Sequence, residues 1–232
     1  MKTRALIFSF LALGSAIAQD SINLERAFKT GESDKYKLDL NMATVGGQLA
    51  IKLELTQTTK VAHANGEADI ESTLANMKVQ FNGSDIPSDA LGTASPTPII
   101  VRYDKFMRPV GKQNSSARGI ESFLGILRLT GMLVGKPIVV GQTFDIDNEN
   151  KDTLTRTTGK IKIVELVNGV VKLESDINVK NPQTVDKPMN IKSVAKISVT
   201  DAKLVRVEGT VSGIPGGQGA AVESVSFVIE KA

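Results

Sequence analysis

The segment "DIDNENKD" at 145–152 sets Asp145, Asp147 and Glu149 at alternate positions, as carboxylates alternate in a short calcium loop. An EF-hand loop also needs Gly at its sixth position and Glu at its twelfth, and Asn150 and Arg156 stand there instead. The segment therefore describes a solvated strand end and turn, with a weaker cation site using Asp145, Asp147, Glu149 and Asp152 left open. His63 is the one histidine, in the polar stretch "TTKVAHANGE", and no serine stands in a nucleophile-elbow context. It reads as a solvated side chain. The chain has no Cys, which excludes a thiolate nucleophile and a Cys-based zinc site, so any metal would depend on carboxylates.

Paired carboxylates of the glycosidase kind are compatible with the many Asp and Glu residues. Carbohydrate sites usually present aromatic platforms, however, and this chain has no Trp, two Tyr and eight Phe. The glycines of "GIPGGQG" at 213–219 do not join a strand to a helix, so they form no phosphate cradle. "NGS" at 82–84 and "NSS" at 114–116 are formal glycosylation sequons, meaningful only on a eukaryotic secretory route. The expectation is a protein without catalytic residues, metal or cofactor.

What would position any site is mainly β structure. The first eighteen residues read as an export signal: Lys2 and Arg4, the apolar "ALIFSFLAL", then Ala16-Ile17-Ala18 as a cleavage box. Its apolar core is shorter than the roughly 20 residues that span a bilayer. Without it, 214 of the 232 residues remain, enough for a sizeable core without disulfides. Losing Lys2 and Arg4 leaves 26 basic residues against 25 acidic ones, so nucleic acid and other polyanions are disfavoured partners.

Period-two alternation then dominates. Tyr36, Leu38, Leu40 and Met42 share one face with Lys35, Lys37 and Asp39 between them, and Leu49, Ile51, Leu53 and Leu55 repeat the pattern. Val45-Gly46-Gly47 makes the two a hairpin. After Gly66 the apolar phase changes from Ala68, Ile70 and Leu74 to Met77, Val79 and Phe81, so the strand must bulge or bend near Ala75-Asn76. Residues 82–97 read as a loop, and "PIIVRY" as a strand. Asn168-Gly169 in "GKIKIVELVNGVVKLES" marks another hairpin. Further strands are expected at 189–199, 203–212 and 221–230, about ten in all.

One helix is expected between Ser115 or Ser116 and about Leu133, with Ile120, Phe123, Leu124 and Leu127 in one apolar stripe. On either side lie "KFMRPVG" (105–111) and "KLVRVEG" (203–209), each following a strand and an Asp turn at Asp104 or Asp201. They suggest two similar β-halves, 19–112 and 136–232, joined by helix 115–134 in a single exported domain, 19–232.

The signal, "YKLDL", "VRYDKFMRPVG", "LTGMLVGKPIVVGQTFDID" and the closing β meander resemble a bacterial exported family of unknown function. Such domains look similar to the half-barrel of LolA-like outer-membrane lipoprotein carriers. That likeness implies a concave apolar surface for lipid tails, which Ile120, Phe123, Leu124 and Leu127 would line. No established functional residue of the carriers maps onto this chain, which also lacks a lipid-anchor Cys. The fold expected is a curved antiparallel sheet or half-barrel with one apolar central helix. The function expected is a non-catalytic periplasmic or secreted module, not membrane-spanning, that holds a lipid or other apolar ligand. The alternative is an envelope-associated interaction protein with a filled core, and a carboxylate-based hydrolase stands third.

Overall fold

The computed structural model describes residues 21–44, 46–87, 98–110, 135–150, 154–180, 188–214 and 222–232. Eleven strands run through them: β1 (Ser33–Thr44), β2 (Gly47–Ala62), β3 (Ala68–Phe81), β4 (Ser84–Ile86), β5 (Ile99–Tyr103), β6 (Thr143–Asn150), β7 (Thr155–Val167), β8 (Val170–Lys180), β9 (Met189–Ser198), β10 (Leu204–Ser212) and β11 (Val222–Lys231). They form one antiparallel sheet in the order β4-β3-β2-β1-β11-β10-β9-β8-β7-β6, with β5 on a second stretch of β3. The first and last strands therefore meet in the middle.

The alternation explains both faces. Tyr36, Leu38 and Leu40 of β1 are buried, while Lys35, Lys37 and Asp39 are exposed. Across the sheet the same rows continue, Leu53 facing Leu38 on β2 and Ile229 facing it on β11. Lysine and carboxylate residues recur on the outer face, so the sheet does not present the apolar band of a lipid-facing barrel. No helix among the described residues is long and apolar enough to cross a membrane.

The bend expected in β3 is present. Its pairing with β2 slips between Lys52 and Glu54, opposite Lys78 and Ala75, and Asn76 takes a left-handed φ of 52°. A bulge of this kind lets Ile70 before it and Val79 after it both reach the interior. A second slip lies between Ile163 and Glu165 of β7; Ile161 and Ile163 before it are buried, whereas Leu166 and Val167 after it, next to the Asn168-Gly169 hairpin, are exposed.

Two expectations are corrected. The architecture with a central helix gives way to one built from strands alone: no helix occurs among the described residues, and the sheet's own side chains make the core. The segment 115–134 assigned to that helix, with Ile120, Phe123, Leu124 and Leu127, lies outside the described residues. The stretch 82–97, read as loop, begins with β4, because Asn82-Gly83 makes a tight turn that folds Ser84 back onto Phe81.

One buried cluster covers the inner face from β2 to β7 and takes in three residues from outside the strands, Leu24, Ile138 and Ala202. A smaller cluster joins Ala68, Ile70 and Tyr103. The segment before β1 ties these parts together. Ile22 and Ile138 exchange backbone hydrogen bonds of 3.0 and 2.9 Å, the Arg26 amide donates to the Lys105 carbonyl, and the Gly31 amide to the Thr59 carbonyl.

An Asp turn precedes each copy of the repeated phrase. The Asp104 carboxylate accepts hydrogen bonds from the Phe106 and Arg108 amides, and Asp201 accepts one from the Lys203 amide. In each turn the carboxylate takes the amide two residues on, but the left-handed residue differs in place: Met107 comes three after Asp104, and Ala202 directly after Asp201.

Candidate functional site

Three polar constellations stand out, and the largest is buried. Asp34 lies in the same phase of β1 as Tyr36 and Leu38, which turns its carboxylate inward. Arg26 donates to it at 2.5 Å and Lys203 at 2.9 Å, while Lys203 also reaches Glu32 at 2.6 Å and Lys231 approaches Asp34 at 3.7 Å. Arg26, Asp34 and Lys203 are 7%, 4% and 8% exposed, so these charges depend on one another rather than on water. Burial works to raise the Asp34 pKa, but hydrogen bonds and charge from Lys203 and Arg26 outweigh it and the pKa is lowered. Lys203 mirrors this: burial works to lower its pKa, and Asp34 and Glu32 raise it. For Tyr36, burial and the Asp34 charge raise the phenol pKa. The cluster sits where the segment before β1, the β9–β10 turn and the end of β11 converge.

The second constellation corrects the reading of His63 as simply solvated. Its Nε2 lies 3.0 Å from Asp69 Oδ2, and Arg102 donates to both Asp69 oxygens at 2.7 and 3.1 Å. The β2–β3 turn brings His63 back over the start of β3, and β5 places Arg102 opposite Asp69. Hydrogen bonding from Arg102, with His63 adding to it, lowers the Asp69 pKa against the effect of burial. With both oxygens engaged, Asp69 serves as a fastener between turn and strand.

The third is an open groove of about 870 Å³ on the outer face of β6–β11. Exposed Lys160, Lys162, Glu174, Asp176, Lys192 and Glu208 line it. Register sets Lys160 opposite Asp176 and Asp176 opposite Lys192, with Lys162 opposite Glu174 in the next row. Lys192 lies 3.6 Å from Asp176 and Lys160 3.9 Å from Asp145. Charge is thus compensated from strand to strand, and the groove offers polar contacts of both signs. Gly209 lies along it, and an added Cβ there would come within 2.3 Å of the Lys192 carbonyl oxygen and 2.9 Å of the Phe227 ring. Only Gly permits that approach of β10 to β9.

The candidate cation ligands do not converge. Asp145, Asp147 and Glu149 stand exposed along β6, and Arg156 grips Asp147 through bonds of 3.0 and 2.9 Å. That pairing lowers the Asp147 pKa. Asp152 lies outside the described residues, and among those described no group of three His, Cys, Asp or Glu forms a metal site. Most of "GIPGGQG" (215–219) and the sequon at Asn114 are also outside them.

No protein-family model matches the chain, and no curated protein matches it. Among solved structures, a "putative lipoprotein" from Parabacteroides distasonis aligns over 92% of this chain and 100% of its own, at 12% identity and a TM-score of 0.34. A "putative exported protein with YmcC-like fold" from Bacteroides fragilis aligns over 90% and 99%, at 13% identity and a TM-score of 0.31. DynF from the dynemicin biosynthesis pathway of Micromonospora chersina aligns over 92% and 86%, at 10% identity and a TM-score of 0.23. The alignments are long, but superposition this loose transfers neither fold nor function, and none of the three is described as a lipoprotein carrier.

Proposed function

We propose that the chain is an exported, non-catalytic interaction module whose curved sheet is filled by its own side chains and which meets partners through its polar outer face and loops. One observation carries the reading: the inner-face cluster is continuous and closed with Leu24 and Ile138, both nearly inaccessible to solvent at 3% and 1%. The export signal at 1–18 supports the location, envelope or secreted. The absence of catalysis is supported by the commitments of the ionisable groups, since His63, Asp69 and Asp34 are all engaged in holding strands or turns together.

The lipid-carrier reading is the one this proposal competes with. The test is native mass spectrometry of residues 19–232, purified without detergent, followed by titration with a fluorescent fatty acid. An apo mass and no saturable uptake are expected. A stoichiometric adduct extractable as lipid, or saturable uptake, would overturn the filled-core reading and restore the carrier.

A further inference from the structure

The chain contains three Asn-Gly pairs, Asn65-Gly66, Asn82-Gly83 and Asn168-Gly169, and all three lie in turns between strands. Asn followed by Gly is the pair most prone to succinimide formation, because Gly puts no side chain in the way of its own nitrogen. In that reaction the deprotonated Gly nitrogen attacks the Asn carboxamide carbon. A carbon–nitrogen bond forms, the bond to Nδ2 breaks, and ammonia leaves with the proton. Water then opens the ring at either carbonyl to give aspartate or isoaspartate. The overall change consumes water and releases ammonia, with no oxidant or reductant.

The three pairs differ in what already holds the reacting groups. At Asn65 the side-chain oxygen accepts from the Glu67 amide at 3.1 Å, and the would-be nucleophile, the Gly66 amide, donates to the His63 carbonyl at 3.1 Å. At Asn82 the side-chain oxygen accepts from the Gln48 amide at 2.9 Å, and the carboxamide lies directly over Gly47, where an added Cβ would be 2.3 Å from it. Asn82 and Asn168 share nearly the same backbone, with φ of 48° and 52°, so conformation alone does not separate them. Among the described residues, the exposed Asn168 side chain makes no hydrogen bond or ion pair, and neither does the Gly169 amide.

The geometry points to Asn168 as a selective site of spontaneous deamidation, at the tip of the β7–β8 hairpin. The product is a carboxylate set between Val167, which is 55% exposed, and Val170. Where the product is isoaspartate, the main chain gains a methylene inside a two-residue turn whose register the Val167–Val170 pair defines. Ageing of the protein would thus alter charge and backbone at one exposed apolar tip and leave the rest of the sheet intact.

The test is peptide mapping of residues 19–232 after incubation in warm, mildly alkaline buffer, with chromatographic separation of Asp and isoAsp products. A hydrogen bond that must break first slows a step by roughly fivefold, so Asn168 should react at least that much faster than Asn65 or Asn82 in the folded protein. In concentrated urea the three rates should converge, since each Asn precedes Gly. Folded-state rates at Asn65 or Asn82 that equal or exceed the rate at Asn168 would overturn the assignment, and so would strong protection of Asn168 relative to urea.

Discussion

Replacing Asp34 by Asn should be among the most damaging single-atom changes available to this protein. The carboxylate is 4% exposed and takes hydrogen bonds from Arg26 at 2.5 Å and Lys203 at 2.9 Å. After the change, Lys203 at 8% exposure keeps Glu32, whereas Arg26 at 7% loses the carboxylate it is paired with, and an amide nitrogen points at one of the two cations. Removing one partner of a buried ion pair costs about 3–5 kcal/mol, chiefly because the other charge stays buried. For a domain of this size each kcal/mol corresponds to about 2–4 °C, so the melting midpoint should fall by about 10 °C. Urea unfolding followed by circular dichroism reads the free energy directly. The pH dependence gives a second signature. Because the folded-state pKa of Asp34 is lowered, its contribution is present in full above the unfolded value of about 3.9 and is lost as pH falls through the folded value. Wild-type and D34N stabilities should therefore converge in acid. A D34N loss below about 1 kcal/mol at neutral pH would refute the reasoning, since that is the scale of an exposed pair. An offset that persisted unchanged in acid would refute it as well.

Other consequences are as direct. Gly209→Ala forces a Cβ to within 2.3 Å of a backbone oxygen and should cost about 1–3 kcal/mol in urea unfolding, whereas Ala at Gly46 should cost less because a Cβ there comes no nearer than 3.9 Å to its neighbours. Asp69→Asn removes the charge and one of the two acceptor oxygens that Arg102 and His63 engage, so amides of β5 should exchange with deuterium faster while those of β10 stay protected. Phe227→Ala empties a fully buried position beside Gly209 and should cost about 3–5 kcal/mol by the same unfolding assay.

Much of the sheet was legible because alternation is a local signal. The β1–β2 hairpin has the register the apolar phases imply, Leu38 with Leu53 and Leu40 with Ile51. The bend near Ala75-Asn76 was legible for the same reason, since a change of phase inside one strand has few physical outcomes. The functional constellations were less visible because they join distant segments. Lys203 is 169 residues from Asp34, and nothing local announces the contact. One signal was nevertheless available: Asp34 occupies the apolar phase of β1, where a charge demands a buried partner. His63 carried a weaker one, an acid six residues on across a Gly-containing turn. β4 was hidden by its length, three residues inside a stretch rich in turn formers.

The position of the Asp34 cluster bears on how the sheet closes. β1 and β11 are at opposite ends of the chain, and their pairing joins the two runs of strands into one sheet. The entropic cost of closing so long a loop grows only slowly with length, but such contacts form late compared with hairpins. Register at that seam must be unique, because a slip of one residue would turn Lys37 and Asp39 inward in place of Leu38 and Leu40. Apolar rows reject odd slips but tolerate a slip of two, which keeps every face in phase. Asp34 does not tolerate it, since Arg26, Lys203 and Lys231 meet it from three separate segments and a shift of β1 by two residues carries it past them. Replacing Arg26, Asp34 and Lys203 together by apolar residues of similar size should then restore much of the stability lost in D34N. It should also admit a second β1–β11 register, visible as a doubled set of backbone resonances for residues of those two strands. A triple variant with a single set would show that side-chain packing alone, through Phe227 against Leu40 and Ile229 against Leu38, fixes the seam.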